Sequence, residues 1–179
     1  MKFSKTPIDG VFIIGQDRKE DDRGYFARTF CVDEFASNGL PVDFPQHNVS
    51  FNRLKGTLRG MHFQVCAHDE PKVVRCTRGS IFDVVIDLRP ESATYCKWYG
   101  VTLDDETCHA IYISPGLAHG FQTLCDDAEL LYLMGKRYAP AAASGVRFDD
   151  PVFAVEWPLP VTRISRQDLE FVPFERAYK

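Results

Sequence analysis

Along residues 46–135 apolar and polar positions follow one another in short segments rich in β-branched and aromatic side chains, each closed by a turn signal. The segments are 46–51, 72–77, 80–88, 97–103, 109–114, 119–124 and 128–134. Breaks fall at Arg78-Gly79, Arg89-Pro90-Glu91-Ser92, Asp104-Asp105-Glu106, Pro115-Gly116 and Cys125-Asp126-Asp127. Side chains on a strand point alternately to its two faces, so segments punctuated in this way predict strands. Many short strands at a spacing of about ten residues predict an antiparallel sandwich or barrel, not strands alternating with helices. The segment Ser80-Ile81-Phe82-Asp83-Val84-Val85-Ile86-Asp87-Leu88 is too densely apolar for clean alternation, which fits a strand in the middle of a double-layered sheet.

Outside this block the pattern weakens. Residues 10–14 and 24–30 read as extended segments joined by the charged stretch 17–23, which reads as a turn. Residues 32–39 predict a short helix closed by Gly39, with Asp33 and Glu34 near its positive end. The segment 139–179 carries prolines at 140, 151, 158, 160 and 173. It is predicted to wrap the barrel with one short helical turn from Ser165. The expected organisation is a single domain over 1–179, with an N-terminal extended arm over 1–30, a barrel over about 46–135 and a wrapping tail over 139–179.

Composition adds limits. The chain has 179 residues, 45% of them hydrophobic, enough for one domain with a sizeable core. A formal charge of -4 offers no broad surface for nucleic acid, so any phosphate must be met by a local cluster. No apolar run approaches the length of a membrane span. Cysteines 31, 66, 76, 96, 108 and 125 contain no C-x-x-C pair and follow a polar start, Met1-Lys2-Phe3-Ser4-Lys5, in place of a signal peptide. They read as reduced thiols of a cytoplasmic protein.

Candidate chemistry centres on Arg59-Gly60-Met61-His62-Phe63-Gln64. If this stretch is extended, His62 and Gln64 share a face, opposite Arg59, Met61 and Phe63. His62 then reads either as a base in a polar pocket or as a structural histidine bonded to a carbonyl. Lys72, His119, Tyr132 and Asp168 are polar residues in or beside apolar segments or the tail, where burial demands a partner or a task. Each also has a structural reading: a surface lysine, a turn histidine, a core tyrosine, a helix cap. Spacing alone does not bring them together. No second histidine stands two residues from His62, so the pocket reads as metal-free. Neither a nucleophile elbow nor a glycine-rich phosphate loop is present.

A series of stretches resembles the dTDP-4-dehydrorhamnose 3,5-epimerase family: Asp22-Arg23-Gly24-Tyr25-Phe26, Gln46-His47-Asn48-Val49-Ser50, Arg59-Gly60-Met61-His62-Phe63-Gln64, Lys72-Val73-Val74-Arg75 and Asp87-Leu88-Arg89. Pro115-Gly116-Leu117-Ala118-His119-Gly120-Phe121, Tyr132 followed by Tyr138-Ala139-Pro140, and Asp149-Asp150-Pro151 continue it in order. The resemblance implies an all-β, cupin-type double-stranded β-helix (jelly-roll) with short peripheral helices, acting on a nucleotide-linked 4-keto-6-deoxyhexose with neither metal nor organic cofactor. By motif, His62 resembles the general base, Asp168 its orienting partner, Tyr132 the general acid and Lys72 the cation beside the developing enolate. Gln46, Asn48, Arg59, His119 and Tyr138 resemble substrate-binding positions. The resemblance also implies a homodimer in which the segment carrying Arg23, Phe26 and Arg28 completes the neighbour's site, with no part for nucleic acid or membrane.

Four places depart from the family pattern. Arg28 stands where a glutamate usually helps to read the base, Ala143 where a glutamate commonly follows the Tyr-x-Pro segment, Gln167 where a lysine often precedes the aspartate, and Leu133-Met134-Gly135 where a more polar run follows the tyrosine. Arginine offers only donors, so the first departure reverses the hydrogen-bonding sense at a base-reading position and predicts a weakened preference for thymidine. Alternative readings are an epimerase of a single centre, C3 or C5, using a CDP-, GDP- or other variant sugar, and a non-catalytic sugar-binding cupin. The joint presence of His62, Tyr132, Lys72 and Asp168 argues against the last.

Overall fold

The computed structural model describes residues 1–65 and 70–174. In chain order the elements are β1 (Lys2–Lys5), β2 (Val11–Gly15), β3 (Lys19–Asp21), β4 (Gly24–Phe26), α1 (Val32–Ser37), β5 (Gln46–Asn52), β6 (Leu58–Gln64), β7 (Lys72–Arg78), β8 (Ser80–Asp87), β9 (Trp98–Asp104), β10 (Ala110–Ile113), β11 (Leu117–Thr123), β12 (Ala128–Met134), β13 (Ala143–Gly145) and α2 (Arg166–Leu169). Two antiparallel sheets face each other, one ordered β1-β2-β10-β7-β12-β5 and the other β13-β6-β11-β8-β9; β3 and β4 form a separate hairpin. This is the jelly-roll implied by the motifs.

The apolar pattern explains the layers. Val74, Cys76, Ile111, Ile113 and Leu130 of the six-stranded sheet meet Ile81, Val85, Leu103, Leu117 and Phe121 of the five-stranded sheet in the space between them. The outer side of the six-stranded sheet is covered by Phe35 of α1 with Leu40, Phe30 and Phe44. The outer side of the five-stranded sheet is covered by the tail through Val146, Phe153 and Trp157, packed against Met61, Val84 and Ile86. Strand β8 is therefore buried on both faces, which is why its sequence shows no alternation.

The arm differs from expectation. The stretch 17–23 is not all turn: β3 lies within it and pairs with β4, Lys19 opposite Phe26, and extended structure stops at Phe26, short of residue 30. Edge strands β1 and β13 lack an apolar signature, because their partners β2 and β6 supply the ladder. The helical turn in the tail is present, with Ser165 Oγ accepting the backbone N–H of Asp168 at 3.0 Å. Cysteines 31, 76, 96, 108 and 125 are free thiols, while Cys66 lies outside the described residues. Among the described residues no helix is long and apolar enough to cross a membrane.

Candidate active site

One end of the sandwich holds a cavity of about 350 Å³, within the range of small-molecule sites, lined from both sheets. The five-stranded sheet contributes Arg59, His62 and Gln64 from β6 and His119 from β11. The six-stranded sheet contributes Asn48 from β5, Lys72 from β7 and Tyr132 from β12. His62 and His119 are direct cross-strand partners, and so are Asn48 and Tyr132.

Simple alternation would turn Arg59 away from His62. The register between β6 and β11 instead slips by one residue between Phe121↔Arg59 and His119↔His62, a bulge that brings Arg59 onto the face of His62. The bulge depends on Gly60, at φ +130, where a Cβ would stand 2.5 Å from Gly120 Cα. Arg59 is then anchored across the sandwich, its Nε donating to Asn52 Oδ1 at 2.7 Å.

Two histidines carry two carboxylates. His62 Nε2 lies 2.7 Å from Asp168 Oδ1, and Asp168 Oδ2 accepts the Gly60 N–H at 3.2 Å. The His62 side chain is 47% exposed and that of Asp168 only 5%, so the ring faces the cavity and its carboxylate stands behind it. Burial pushes the Asp168 carboxyl up, but the His62 hydrogen bond and charge and the Gly60 N–H outweigh it, leaving its pKa below the ordinary value. An ionised carboxylate only accepts, so Nε2 donates and Nδ1 carries the free lone pair. His119 Nε2 lies 2.8 Å from Asp83 Oδ2, deep in the structure, and burial raises the Asp83 carboxyl despite His119. The His119 ring meets that of Tyr132 edge-on with centroids 5.9 Å apart. Burial, then the Asp83 charge, push the Tyr132 phenol well above its ordinary value, against Arg59, so it keeps its proton at neutral pH.

A third polar cluster closes the floor. Lys72 Nζ lies 2.6 Å from Glu70 Oε2, with side-chain exposures of 10% and 3%, and Gln64 Nε2 donates to Glu70 Oε1 at 2.8 Å. Among the described residues no group of three His, Cys, Asp or Glu side chains converges in a metal-binding arrangement.

A family profile described as dTDP-4-dehydrorhamnose 3,5-epimerase matches residues 5–176. The chain belongs to this family. Within it, the dTDP-4-dehydrorhamnose 3,5-epimerase of Methanothermobacter thermautotrophicus is 42% identical, over 96% of this chain and 94% of that protein. The dTDP-4-dehydrorhamnose 3-epimerase of Streptomyces niveus is 40% identical, over 94% and 81%. Among solved structures, a 4-keto-6-deoxy sugar epimerase from the novobiocin cluster of Streptomyces spheroides superimposes with a TM-score of 0.92 at 38% identity, covering 97% of this chain and 87% of that one. The Legionella pneumophila epimerase in complex with dTDP-4-keto-L-rhamnose gives 0.88 at 33% identity, covering 94% and 89%.

Most of the family-type site residues converge here. Tyr138 lines the rim, and Gln46 bridges it, accepting the Tyr138 N–H at 3.1 Å and donating to Asn48 at 3.2 Å. Arg23, Phe26 and Arg28 do not line this cavity. Arg23 pairs with Asp21 at 2.6 Å, Phe26 is 80% exposed on β4, and Arg28 Nη1 donates to Glu34 of α1 at 2.6 Å. The sequence reading missed Glu70, Asp83 and Asn52. Asp83 carried a signal, a carboxylate within an apolar strand, whereas Glu70 follows His68-Asp69 and reads as an ordinary surface charge.

Proposed function

We infer that the chain epimerises a nucleotide-linked 4-keto-6-deoxyhexose at C3 and C5. The carrying observation is that His62 of one sheet, backed by Asp168 of α2, and Tyr132 of the other sheet line one cavity from both sides. A ketone at C4 acidifies the hydrogens on C3 and C5, because the carbanion delocalises onto the ketone oxygen as an enolate. In this reading His62 takes the proton at Nδ1 while Asp168 stabilises the imidazolium formed, and Tyr132 returns a proton from the opposite face, which inverts the centre. Lys72 offers its ammonium to the enolate oxygen, where charge is present mainly beyond the ground state. His119, Arg59, Asn48, Gln46 and Tyr138 hold the substrate.

The same reading makes the protein a cytoplasmic homodimer whose single-domain protomers exchange their arms. Its support is the β3–β4 hairpin, exposed at every residue and carrying Arg23 and Phe26, together with free thiols at the described cysteines. On a neighbour's site Arg23 binds pyrophosphate, Phe26 stacks on the base, and Arg28 shifts base preference away from thymidine.

The test is incubation in deuterium oxide with dTDP-, CDP- and GDP-4-keto-6-deoxyglucose, followed by NMR at C3 and C5. Deuterium at both carbons with inversion is the expected result. Deuterium at one carbon makes the protein a single-centre epimerase, and none with any sugar refutes the reading.

A further inference from the structure

Burying a lysine and a glutamate strips both ions of hydration, and an ion pair in such a place is weak evidence for stability. Glu70 and Lys72 nonetheless lie 6% and 8% exposed at the floor of the cavity, two residues apart at the start of β7. Their geometry is doubly fixed. Lys72 Nζ reaches Glu70 Oε2 at 2.6 Å and also donates to the Glu70 carbonyl at 3.4 Å, so the ammonium is held by side chain and backbone of one residue. The second carboxylate oxygen is occupied by Gln64 Nε2 at 2.8 Å, which stops the carboxylate from rotating. Gln64 must present its amide nitrogen to Glu70, because its own carbonyl would face a carboxylate; its Oε1 is left buried without a partner among the described residues. Nothing in this cluster is needed to pair the strands, since β7 bonds to β10 and β12 through its backbone.

We propose that Glu70 is a positioning residue for the reaction, holding the Lys72 ammonium at a fixed point of the cavity wall. This rests on the epimerase reading of the site. The carboxylate balances the lysine charge while the substrate is a neutral ketone, so the ground state gains little. As the proton leaves for His62, negative charge grows on the ketone oxygen and meets an ammonium that needs no reorientation. Glu70 touches no reacting atom; it acts through Lys72.

The test compares Glu70→Gln, Lys72→Met and the double variant. Glu70→Gln is expected to lower kcat at least about tenfold with KM within about threefold of the parent, and to cost less than about threefold when Lys72 is already Met. Equal losses in both backgrounds, or a parent-like kcat, overturn the proposal. Should Glu70→Gln not fold, Glu70→Asp keeps the charge one methylene short of Nζ and should lower kcat in the same direction, with KM again within about threefold of the parent. If the parent inverts none of the sugars, the epimerase reading falls and the proposal with it; a parent that inverts them while Glu70→Gln keeps its kcat overturns the proposal alone.

Discussion

At the scale of single residues the site is organised by carboxylates that set the state of their partners. Asp168, with its pKa held below the ordinary value, fixes the His62 tautomer and leaves Nδ1 with the free lone pair, the base of the proposed reaction. His62→Asn should therefore lower kcat at least about a hundredfold, in line with the worth of a positioned base, with binding of dTDP unchanged by calorimetry. A kcat close to that of the parent would remove His62 from the mechanism. Tyr132→Phe deletes only a hydroxyl whose proton is held tightly. The variant should still exchange deuterium for the substrate hydrogens but fail to invert C3 and C5, and NMR reads the two events separately. Inversion at the parent rate would transfer the acid's task to another group, with Tyr138 at the rim the first to test.

At the scale of elements, β8 shows how one strand serves both core and polar interior. Its inward residues Ile81 and Val85 pack between the sheets, while Asp83, also on that side, reaches His119. Farther along, the buried Asp87 takes two hydrogen bonds from the Arg89 guanidinium at 2.9 and 2.8 Å, and one each from Ser92 and Thr94 at 2.6 Å. This locks the connection into β9. Burial pushes Asp87 up, but these donors win and its pKa falls from 3.8 to about 2. A folded pKa below the unfolded one means stability that is fully present above about pH 4 and lost as the pH falls toward 2. The shift corresponds to about 2 kcal/mol. Urea melts should show Asp87→Asn less stable by about that amount at pH 7, the gap closing by pH 2. A constant gap across this range would mean that the asparagine costs packing rather than charge.

At the scale of the whole molecule, the exposed β3–β4 hairpin and the cavity belong to different parts of the same chain, and the dimer reading joins them through a second copy. Complementation tests this. A variant lacking the hairpin contacts (Arg23→Ser with Phe26→Ser) and the variant His62→Asn should each be inactive alone. Mixed by unfolding and refolding, half of the dimers are hybrids, and one of the two sites in each hybrid combines an intact base with an intact arm from its neighbour. About a quarter of the parent activity should return. No recovery, with hybrids demonstrated by native mass spectrometry, would place the arm on its own protomer.

What the sequence determined by itself is what local patterning encodes. Alternation and turn residues are properties of neighbours in the chain, so the strands of 46–135 and the turn capped by Ser165 were legible, and the motifs singled out His62, Lys72, Tyr132 and Asp168 as candidates, which the fold brings to one site. Tertiary structure decided the rest. The bulge at Gly60 exists because β6 must pass Gly120 of β11, and it alone places Arg59 beside His62, against the parity of an unbroken strand. His62 and Asp168, 106 residues apart, meet because the tail crosses the outer face of the five-stranded sheet. Glu70 looks like any surface acid until β6 and β7 bring Gln64 and Lys72 to its two oxygens. Pairing of buried charges depends on which sheets face each other, and that is settled by packing at long range, which no local period records.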